Sequence, residues 1–174
     1  GLLLGAVLSD TMDFHSPTTT DRDIQTANIL AAIADLDIDT FAEEMFRITS
    51  NQEKMSFSDM LNQDLKIYDL FSCKLSISQV IVPSAKETRT DSREILAALD
   101  RFAQKKRIDL AVLVFTSILE NGSVIYAGGS RAPWAAEAFP NADGEDHSFQ
   151  ENLLSRKQQI LPALTGVITE YIGG

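Results

Sequence analysis

The basic residues Lys66, Arg156 and Lys157 are candidates for binding a phosphate group. Arg156 and Lys157 come just before an apolar, helix-periodic stretch, and Pro162 in that stretch is tolerated only near the first turn of a helix. A helix N-terminus binds anions through its N–H groups, and Arg adds planar, bidentate contacts to phosphate oxygens. Since cations at that end oppose the helix dipole, structure alone does not require them there. The alternative is that two of the three are ordinary surface cations.

Asp10 is the acidic residue whose position suggests chemistry. Residues 2–8 are all apolar or Gly, and a polar turn containing Pro17 follows Asp10. A carboxylate at the mouth of a buried element is costly unless it is paired, hydrogen-bonded or bound to a metal, so we expect Asp10 to do one of these. The alternative on local evidence is that Asp10 or Ser9 caps a helix.

The net charge of −10 limits the partners of the chain. An acidic protein repels nucleic acid, and it also repels a small polyanionic substrate at long range. A phosphate site must therefore be local, with Lys and Arg gathered in a cleft. Each charge-assisted hydrogen bond to phosphate is worth about 1.5–3 kcal/mol, so Lys66, Arg156 and Lys157 together would overcome this repulsion.

Composition indicates a globular protein. The 174 residues are enough for one good core or two small ones. Hydrophobic residues at 44% and charged residues at 23% argue against a disordered chain. The single Cys73 and the lack of Cys/His pairs at zinc spacing indicate a reducing compartment, and we expect the cytoplasm. Residues 2–8 are too short to span a bilayer, which predicts no membrane association.

Apolar residues at helical spacing predict the elements that position these side chains. Residues 1–8 favour a helix because Leu and Ala outnumber β-branched residues. Further helices are predicted at about 21–35, from Asp39 or Thr40 to 48, from 56 or 58 to Asn62, from Thr90 or Asp91 to 107, at 131–139 and at 160–172. The stretch 49–54 loses the apolar pattern and is the predicted domain boundary.

Strands are predicted at 66–71, 75–83, 110–115 and 124–128. The continuous apolar run 110–115 is typical of a central strand covered on both faces. Turns at 72–74 and 120–123 predict hairpins, the second from its Asn-Gly pair. The polar stretch 140–150, which includes His147, is predicted to be a surface loop.

Four motifs in this order resemble the manganese-dependent family II inorganic pyrophosphatases of the DHH phosphoesterase superfamily. The motifs are LSDT at 8–11 with FxSPTxT at 14–20 and Asp23, DLKIY at 64–68, TxILENxS at 116–123, and SRKxQxxP at 155–162. Their shared order, from near the first residue to near the last, is more specific than any one motif.

The resemblance implies particular roles for the candidate residues. The active site of the family lies in a cleft between an N-terminal DHH domain and a C-terminal DHH-associated domain. Asp10 stands where the last metal-ligand aspartate of the first domain stands. Lys66, Arg156 and Lys157 stand where the substrate-binding cations of the second domain stand. The implied reaction is hydrolysis of pyrophosphate to two phosphates with Mn²⁺ or Co²⁺, and with Mg²⁺ carried by the substrate.

The resemblance also implies the architecture. Residues 1–49 correspond to the tail of the DHH catalytic domain, and residues 50–174 to the DHH-associated substrate-binding domain. The expected fold is α/β, a mixed β-sheet flanked by helices and preceded by a helical segment. Because the chain begins on Gly1 inside an apolar run, we expect it to be a fragment whose partner is the upstream DHH domain of the same polypeptide.

The sequence departs from the family at several points. The His-x-x-x-Asp-x-Asp signature and the Asp-His-His triplet are absent, and His15 and His147 are the only histidines. The fragment alone is therefore predicted to be inactive, with no complete catalytic set. His15 replaces a common Lys or Arg and is assigned no role, and Ser117 replaces an expected acid.

Two other functions fit the same motifs. One is an exopolyphosphatase of the same superfamily, and the other is a non-catalytic phosphate-binding or regulatory module. A homodimer is also compatible with the sequence, since loss of an upstream domain would expose apolar surface around Leu2, Leu3 and Leu4.

Overall fold

The structure is a computed structural model that describes residues 1–49, 55–86, 91–140 and 148–173. Its elements in chain order are α1 (Leu2–Thr11), α2 (Asp21–Ala34), α3 (Ile38–Thr49), α4 (Phe57–Asn62), β1 (Lys66–Leu70), β2 (Cys73–Ile81), α5 (Ser92–Lys106), β3 (Leu110–Ser117), β4 (Gly122–Gly128), α6 (Pro133–Ala138), β5 (Ser148–Glu151), a π-helical turn (Arg156–Ile160) and α7 (Leu161–Ile172). No helix in these ranges is both long enough and apolar enough to cross a membrane.

Within the described residues, the strands form one mixed sheet in the order β1-β2-β3-β4-β5. Strands β2 and β3 are parallel, and α5 makes the crossover between them, while the other pairs are antiparallel. Every residue of β3 is buried, as its continuous apolar run predicts. The α/β fold expected from the resemblance, a mixed sheet flanked by helices, is confirmed.

Helices cover both faces of the sheet, because alternate strand residues point to opposite sides. Helices α4 and α5 cover one face, whose buried side chains are Val80, Val82, Ala111, Leu113, Phe115, Val124 and Tyr126. Helices α6 and α7 cover the other face, whose buried side chains are Cys73, Leu75, Ile77, Leu110, Val112, Val114 and Ile125. The apolar core is thus split into two layers by the sheet.

Helices α1, α2 and α3 form a separate apolar cluster ahead of the sheet. This cluster packs against Ile81 at the end of β2 and Ile118 just after β3. The helical segment therefore sits at the carboxyl ends of the parallel strand pair. Leu2 and Leu3 are exposed as expected, but the same expectation for Leu4 is wrong, because Leu4 lies inside the cluster.

Polar side chains begin several of these helices where the sequence indicates caps. Thr20 caps α2 in a capping box with Asp23, Ser56 caps α4, and Asp91 caps α5. Helix α3 instead begins earlier than predicted, since the carboxylate of Asp37 accepts the N–H of Thr40 at 2.9 Å. Asp39 and Thr40 therefore lie inside the first turn.

Two further predictions are limited or corrected by the structure. Residues 148–150 are not loop, as predicted, but part of the edge strand β5, which pairs with β4 from Ser148 to Glu151. Backbone pairing creates this strand, since Phe149 is its only strongly apolar residue. Residues 50–54 of the predicted linker, and residues 141–147 with His147, lie outside the described residues.

Candidate functional site

The sheet topology brings two of the predicted cations to one place. Lys66 begins β1, which runs antiparallel to β2, and it pairs with Ile77 in the middle of β2. The start of β1 is therefore its end nearer to the carboxyl end of β2. Tyr68 and Leu70 of β1 pack in the apolar cluster under α7. Side chains two residues apart on a strand point to the same face, so Lys66 lies on this face of the sheet too. Arg156 begins the π-helical turn that leads into α7 on this same face. Crevices at the carboxyl ends of parallel strands are the usual ligand sites of α/β sheets.

An ion pair joins the segments that carry Lys66 and Arg156. The guanidinium Nη1 of Arg156 lies 2.8 Å from Oδ2 of Asp64. The same Nη1 also donates to the backbone carbonyl of Asp64. The side chain of Arg156 is only 14% exposed, whereas that of Asp64 is 53% exposed. The DLKIY and SRKxQxxP motifs therefore meet through Asp64, a contact that the sequence did not reveal.

Arg156 retains an unused donor. Its Nε is buried and has no hydrogen-bond partner among the described residues. Leaving a buried donor unsatisfied costs about 1–3 kcal/mol, so such a group is expected to gain a partner when a ligand binds. Lys66 and Lys157 are exposed, which leaves their ammonium groups available to an anion.

The helix start expected at the basic pair is confirmed. Ser155 is the N-cap, and its hydroxyl accepts the N–H of Gln158 at 3.2 Å. Arg156 and Lys157 occupy the first positions of the π-helical turn, whose i to i+5 bond runs from the N–H of Ile160 to the carbonyl of Ser155 at 3.1 Å. Short π-helical segments are frequent at functional sites.

Side chains fix the strap, defined as residues 152–155, that delivers Arg156 to this position. Gln159 reaches back to the strap, and its Oε1 accepts the N–H of Leu154 at 3.0 Å and of Ser155 at 2.8 Å. The Nε2 of Gln159 donates to the carbonyl of Asn152 at 2.7 Å. One amide side chain thus bonds three backbone groups of the strap.

A buried polar network holds the strap from below. The Nε2 of Gln79 donates to the carbonyl of Leu154 and to Oγ1 of Thr116, both at 2.9 Å. Thr116 and Ser123 share a hydrogen bond of 2.8 Å, and Ser123 donates to the carbonyl of Leu153 at 2.5 Å. The TxILENxS motif therefore supports the strap. Sequence reasoning missed Gln79, whose signal was its polar side chain at an inward position of β2.

Glu120, from the same motif, anchors the segment after β2. Its carboxylate accepts the hydroxyl of Ser84 at 2.8 Å and the N–H groups of Ala85 at 2.6 Å and Lys86 at 3.1 Å. Ser117 adds a bond from its hydroxyl to the carbonyl of Pro83 at 2.8 Å. Ser117, which replaces an expected acid, thus has a structural partner.

Asp10 does not lie where the sequence predicts. It is exposed in the last turn of α1, so the expectation that it sits at the mouth of a buried element is wrong, because α1 buries only Leu4, Leu8 and Thr11. The capping alternative is also wrong, since Asp10 lies within α1 and Thr20 caps the next helix. Across the described ranges, no group of three or more His, Cys, Asp or Glu side chains could hold a metal. The metal-ligand role of Asp10 stays a prediction.

The turn after α1 is conformationally strained. Met12, Asp13 and Phe14 have positive φ values of 49°, 51° and 64°. Left-handed backbone costs non-Gly residues on the order of 1 kcal/mol each. Burial raises the pKa of the Asp13 carboxyl, Asp39 adds to the rise, and His15 opposes it. His15 itself is exposed.

Comparison with known proteins identifies the family of the chain. The family model of the DHHA2 domain matches residues 43–167. This chain belongs to the DHHA2 domain family. The match begins inside α3, ahead of the predicted domain boundary at 49/50, and it ends inside α7. It therefore includes the whole sheet and the candidate residues Lys66 and Arg156.

Relatives of the DHHA2 chain agree with the resemblance drawn from the motifs. A manganese-dependent inorganic pyrophosphatase of Bacillus subtilis is 32% identical over 170 residues, which cover 98% of this chain and 55% of that protein. A cobalt-dependent inorganic pyrophosphatase of Clostridium perfringens is 33% identical over 172 residues. These residues cover 99% of this chain and 31% of that protein.

A solved structure shares the fold of the DHHA2 chain. A Methanococcus jannaschii protein assigned to the family II inorganic pyrophosphatases superposes with a TM-score of 0.78 and 32% identity. The match covers 99% of this chain and 55% of that one. The resemblance to family II pyrophosphatases is thereby confirmed, and the chain spans about half the length of most of these relatives.

Proposed function

We propose that this chain is the substrate-gripping part of a metal-dependent inorganic pyrophosphatase, an enzyme that hydrolyses pyrophosphate to two phosphates. The observation that carries the proposal is the buried, unpartnered Nε of Arg156, on a side chain fixed beside the start of β1. The names of the relatives from Bacillus subtilis and Clostridium perfringens support it. It applies to the polypeptide as a whole, of which this chain supplies the phosphate-binding cations.

Each cation has a distinct part in this proposal. Arg156 contacts phosphate oxygens through planar N–H groups, which suit bidentate binding. Lys66 and Lys157 are exposed and add positive charge that offsets the repulsion of a chain with net charge −10. In hydrolysis these groups would stabilise the charge that develops on the leaving phosphate.

The described residues do not form a metal site by themselves. Asp10 offers oxygen ligands, which suit Mn²⁺, but it is exposed and does not belong to a group of three potential ligands. We infer that an upstream DHH domain of the same polypeptide supplies the other ligands for Mn²⁺ or Co²⁺, and that Mg²⁺ arrives with the substrate. This chain alone should therefore bind pyrophosphate without hydrolysing it.

The domain assignment of the sequence fits this arrangement. We propose that residues 1–49 complete the catalytic domain and that residues 50–174 form the substrate domain. The helical cluster contacts Ile81 and Ile118 at the carboxyl ends of β2 and β3, and Lys66 is at the end of β1 nearer to these strand ends. A cleft between the two parts would thus contain the cations. Cys73 is the single cysteine of the sequence, and its thiol is free and buried. A free thiol is typical of a reducing compartment, which supports a cytoplasmic location.

A titration of the ¹⁵N-labelled chain with pyrophosphate at low salt tests the proposal. We expect saturable amide shifts around Lys66 and at residues 155–157, and we expect Arg156→Ala to abolish them. The matched control is Arg101→Ala, which removes the same charge from an exposed position on α5, on the opposite face of the sheet. Loss of binding in both variants would indicate only a charge effect, and absence of shifts in the unmodified chain would contradict the proposal.

The substrate class is tested in the same experiment. A pyrophosphatase is expected to bind pyrophosphate more tightly than longer polyphosphates. Affinity that rises steadily with polyphosphate chain length would instead favour an exopolyphosphatase.

A further inference from the structure

The two ends of the Arg156 guanidinium are used differently. Its Nη1 is engaged by both the carboxylate and the backbone carbonyl of Asp64. Its Nε is buried without a partner among the described residues. A guanidinium presents fixed pairs of parallel donors, so holding Nη1 determines which pair faces a ligand. The pair left over is the one formed by Nε and Nη2.

We propose that Asp64 is a positioning residue that turns the Nε–Nη2 edge of Arg156 toward the bound phosphate. The inference rests on the proposed function, since it assigns Asp64 a role in the same site. Two contacts from one residue to a single nitrogen restrict rotation of the guanidinium. An Arg held in this way loses less rotational freedom when it binds an anion.

Attraction for the anion does not account for Asp64 at this position. A carboxylate beside an anion site repels the anion, so electrostatic attraction alone would be stronger without it. Asp64 also pairs a guanidinium that is only 14% exposed, and this pairing stabilises the fold. A contribution to stability alone would leave pyrophosphate affinity of the folded variants unchanged or higher, whereas orientation of Arg156 predicts that it falls.

The backbone of Asp64 is adapted to this contact. Its φ is 42°, a left-handed conformation that Asp and Asn tolerate better than most residues. Lys66 follows Asp64 by two positions, at the start of β1. Because Asp64 also contacts Arg156, it places Lys66 and Arg156 near each other. Substitutions by Asn or Gly keep this backbone conformation accessible, which provides variants expected to fold.

The test compares Asp64→Asn and Asp64→Gly with Asp69→Asn. Asp69 lies on β1, the strand that follows Asp64, its side chain is 80% exposed, and its charged neighbour is Lys74 at 4.0 Å, so the control removes the same charge without contacting Arg156. The signal to follow is the Nε–H resonance of Arg156, assigned by its loss in Arg156→Lys. Thermal unfolding of each variant verifies that it is folded.

Without ligand, the Nε–H of Arg156 should exchange slowly in the unmodified chain and in Asp69→Asn, and at least about tenfold faster in both Asp64 variants. With pyrophosphate, the dissociation constant should rise about tenfold in both Asp64 variants, although each has lost a repulsive charge. In Asp69→Asn it should stay the same or fall slightly.

The outcomes separate the inference from the proposed function. Unchanged or tighter pyrophosphate binding in the Asp64 variants, with the same shift of the Arg156 Nε–H, would overturn the positioning role and leave the proposed function intact. No response of the unmodified chain to pyrophosphate would overturn the proposed function, and the inference with it. Weaker binding confined to the Asp64 variants supports the inference.

Discussion

The side-chain amide of Gln79 donates a 2.9 Å hydrogen bond to the backbone carbonyl of Leu154, which lies 75 residues away in the chain. Gln79 is buried in β2, and Leu154 is two positions before Arg156. A side chain from the rigid sheet therefore fixes the backbone that leads into the candidate phosphate site. Groups held in this way are pre-organised, which lowers the entropic cost of binding.

Replacement of Gln79 by Leu should weaken both the fold and the site. The substitution leaves the carbonyl of Leu154 without its buried donor, which we expect to lower the free energy of unfolding by about 1–3 kcal/mol. The strap should then move, and pyrophosphate affinity should fall several-fold. Chemical denaturation and a pyrophosphate titration of the same variant measure the two effects.

Ser78→Ala is the matched control for this prediction. Ser78 lies next to Gln79 and donates to the carbonyl of Leu61 at 2.6 Å, but on the face covered by α4. Its loss should lower stability by a similar amount and leave pyrophosphate affinity unchanged. Equal loss of affinity in both variants would show that general destabilisation, and not the strap, controls binding.

Lys157→Ala should separate binding from stability. Lys157 lies at the start of a helical segment, where its charge opposes the helix dipole. Its removal should therefore raise the free energy of unfolding by about 0.3 kcal/mol. Pyrophosphate affinity should fall about tenfold, because one charge-assisted contact is lost. Denaturation midpoints and binding isotherms of the same preparation check both signs.

Lys105→Ala provides the opposite case. Lys105 is in the last turn of α5, where a cation favours the dipole, so its loss should cost about 0.3–1 kcal/mol. Pyrophosphate affinity should not change. A tenfold loss of affinity in this variant would contradict the assignment of the site to the sheet edge near Lys66.

The elements that the sequence predicted well are those with a strong local signal. The run 110–115 is continuous and apolar, and it became the fully buried β3. Thr20 and Ser56 each precede an acid by three residues, and both form capping boxes. Asn121 with Gly122 marked the hairpin between β3 and β4.

The features that the sequence did not predict depend on distant partners. Asp64 and Arg156 are 92 residues apart, so their pair has no local pattern. Strand β5 has little β propensity and exists because β4 offers it an edge. Asp10 was expected near a buried environment because its neighbours are apolar, yet the helical period turns it to the surface.

Acid should weaken the start of α2. The side chain and backbone N–H of Thr20 both bond to Asp23, at 2.7 Å and 2.9 Å, and these bonds hold the pKa of Asp23 below its ordinary 3.8. Its stabilising effect is therefore present above pH 3.8 and is lost as the pH falls through the lowered value. Thr20→Ala should return the pKa of Asp23 toward 3.8, measured by NMR titration of the carboxyl carbon. An unchanged pKa in that variant would contradict the capping-box explanation.

Self-association should occur through the exposed apolar residues of α1 and α2. Ile29 is 61% and Ile33 78% exposed, one helical turn apart on α2, and Leu2 and Leu3 are exposed on α1. Apolar surface of this kind favours association with another protein surface. Because the chain spans about half the length of most of the relatives described above, we expect isolated copies to cover this surface with one another.

Size-exclusion chromatography over a range of protein concentrations measures this association. The elution volume should decrease as concentration rises, and the Ile29→Gln/Ile33→Gln double variant should elute as a monomer throughout. Phe71→Asn is the control, since it removes a side chain that is 67% exposed from the turn between β1 and β2, where Asn tolerates the positive φ of 54°. A monomeric elution of the unmodified chain at all concentrations would contradict the prediction. Association that Phe71→Asn abolishes and the double variant retains would place the interface at the β1 edge of the sheet instead.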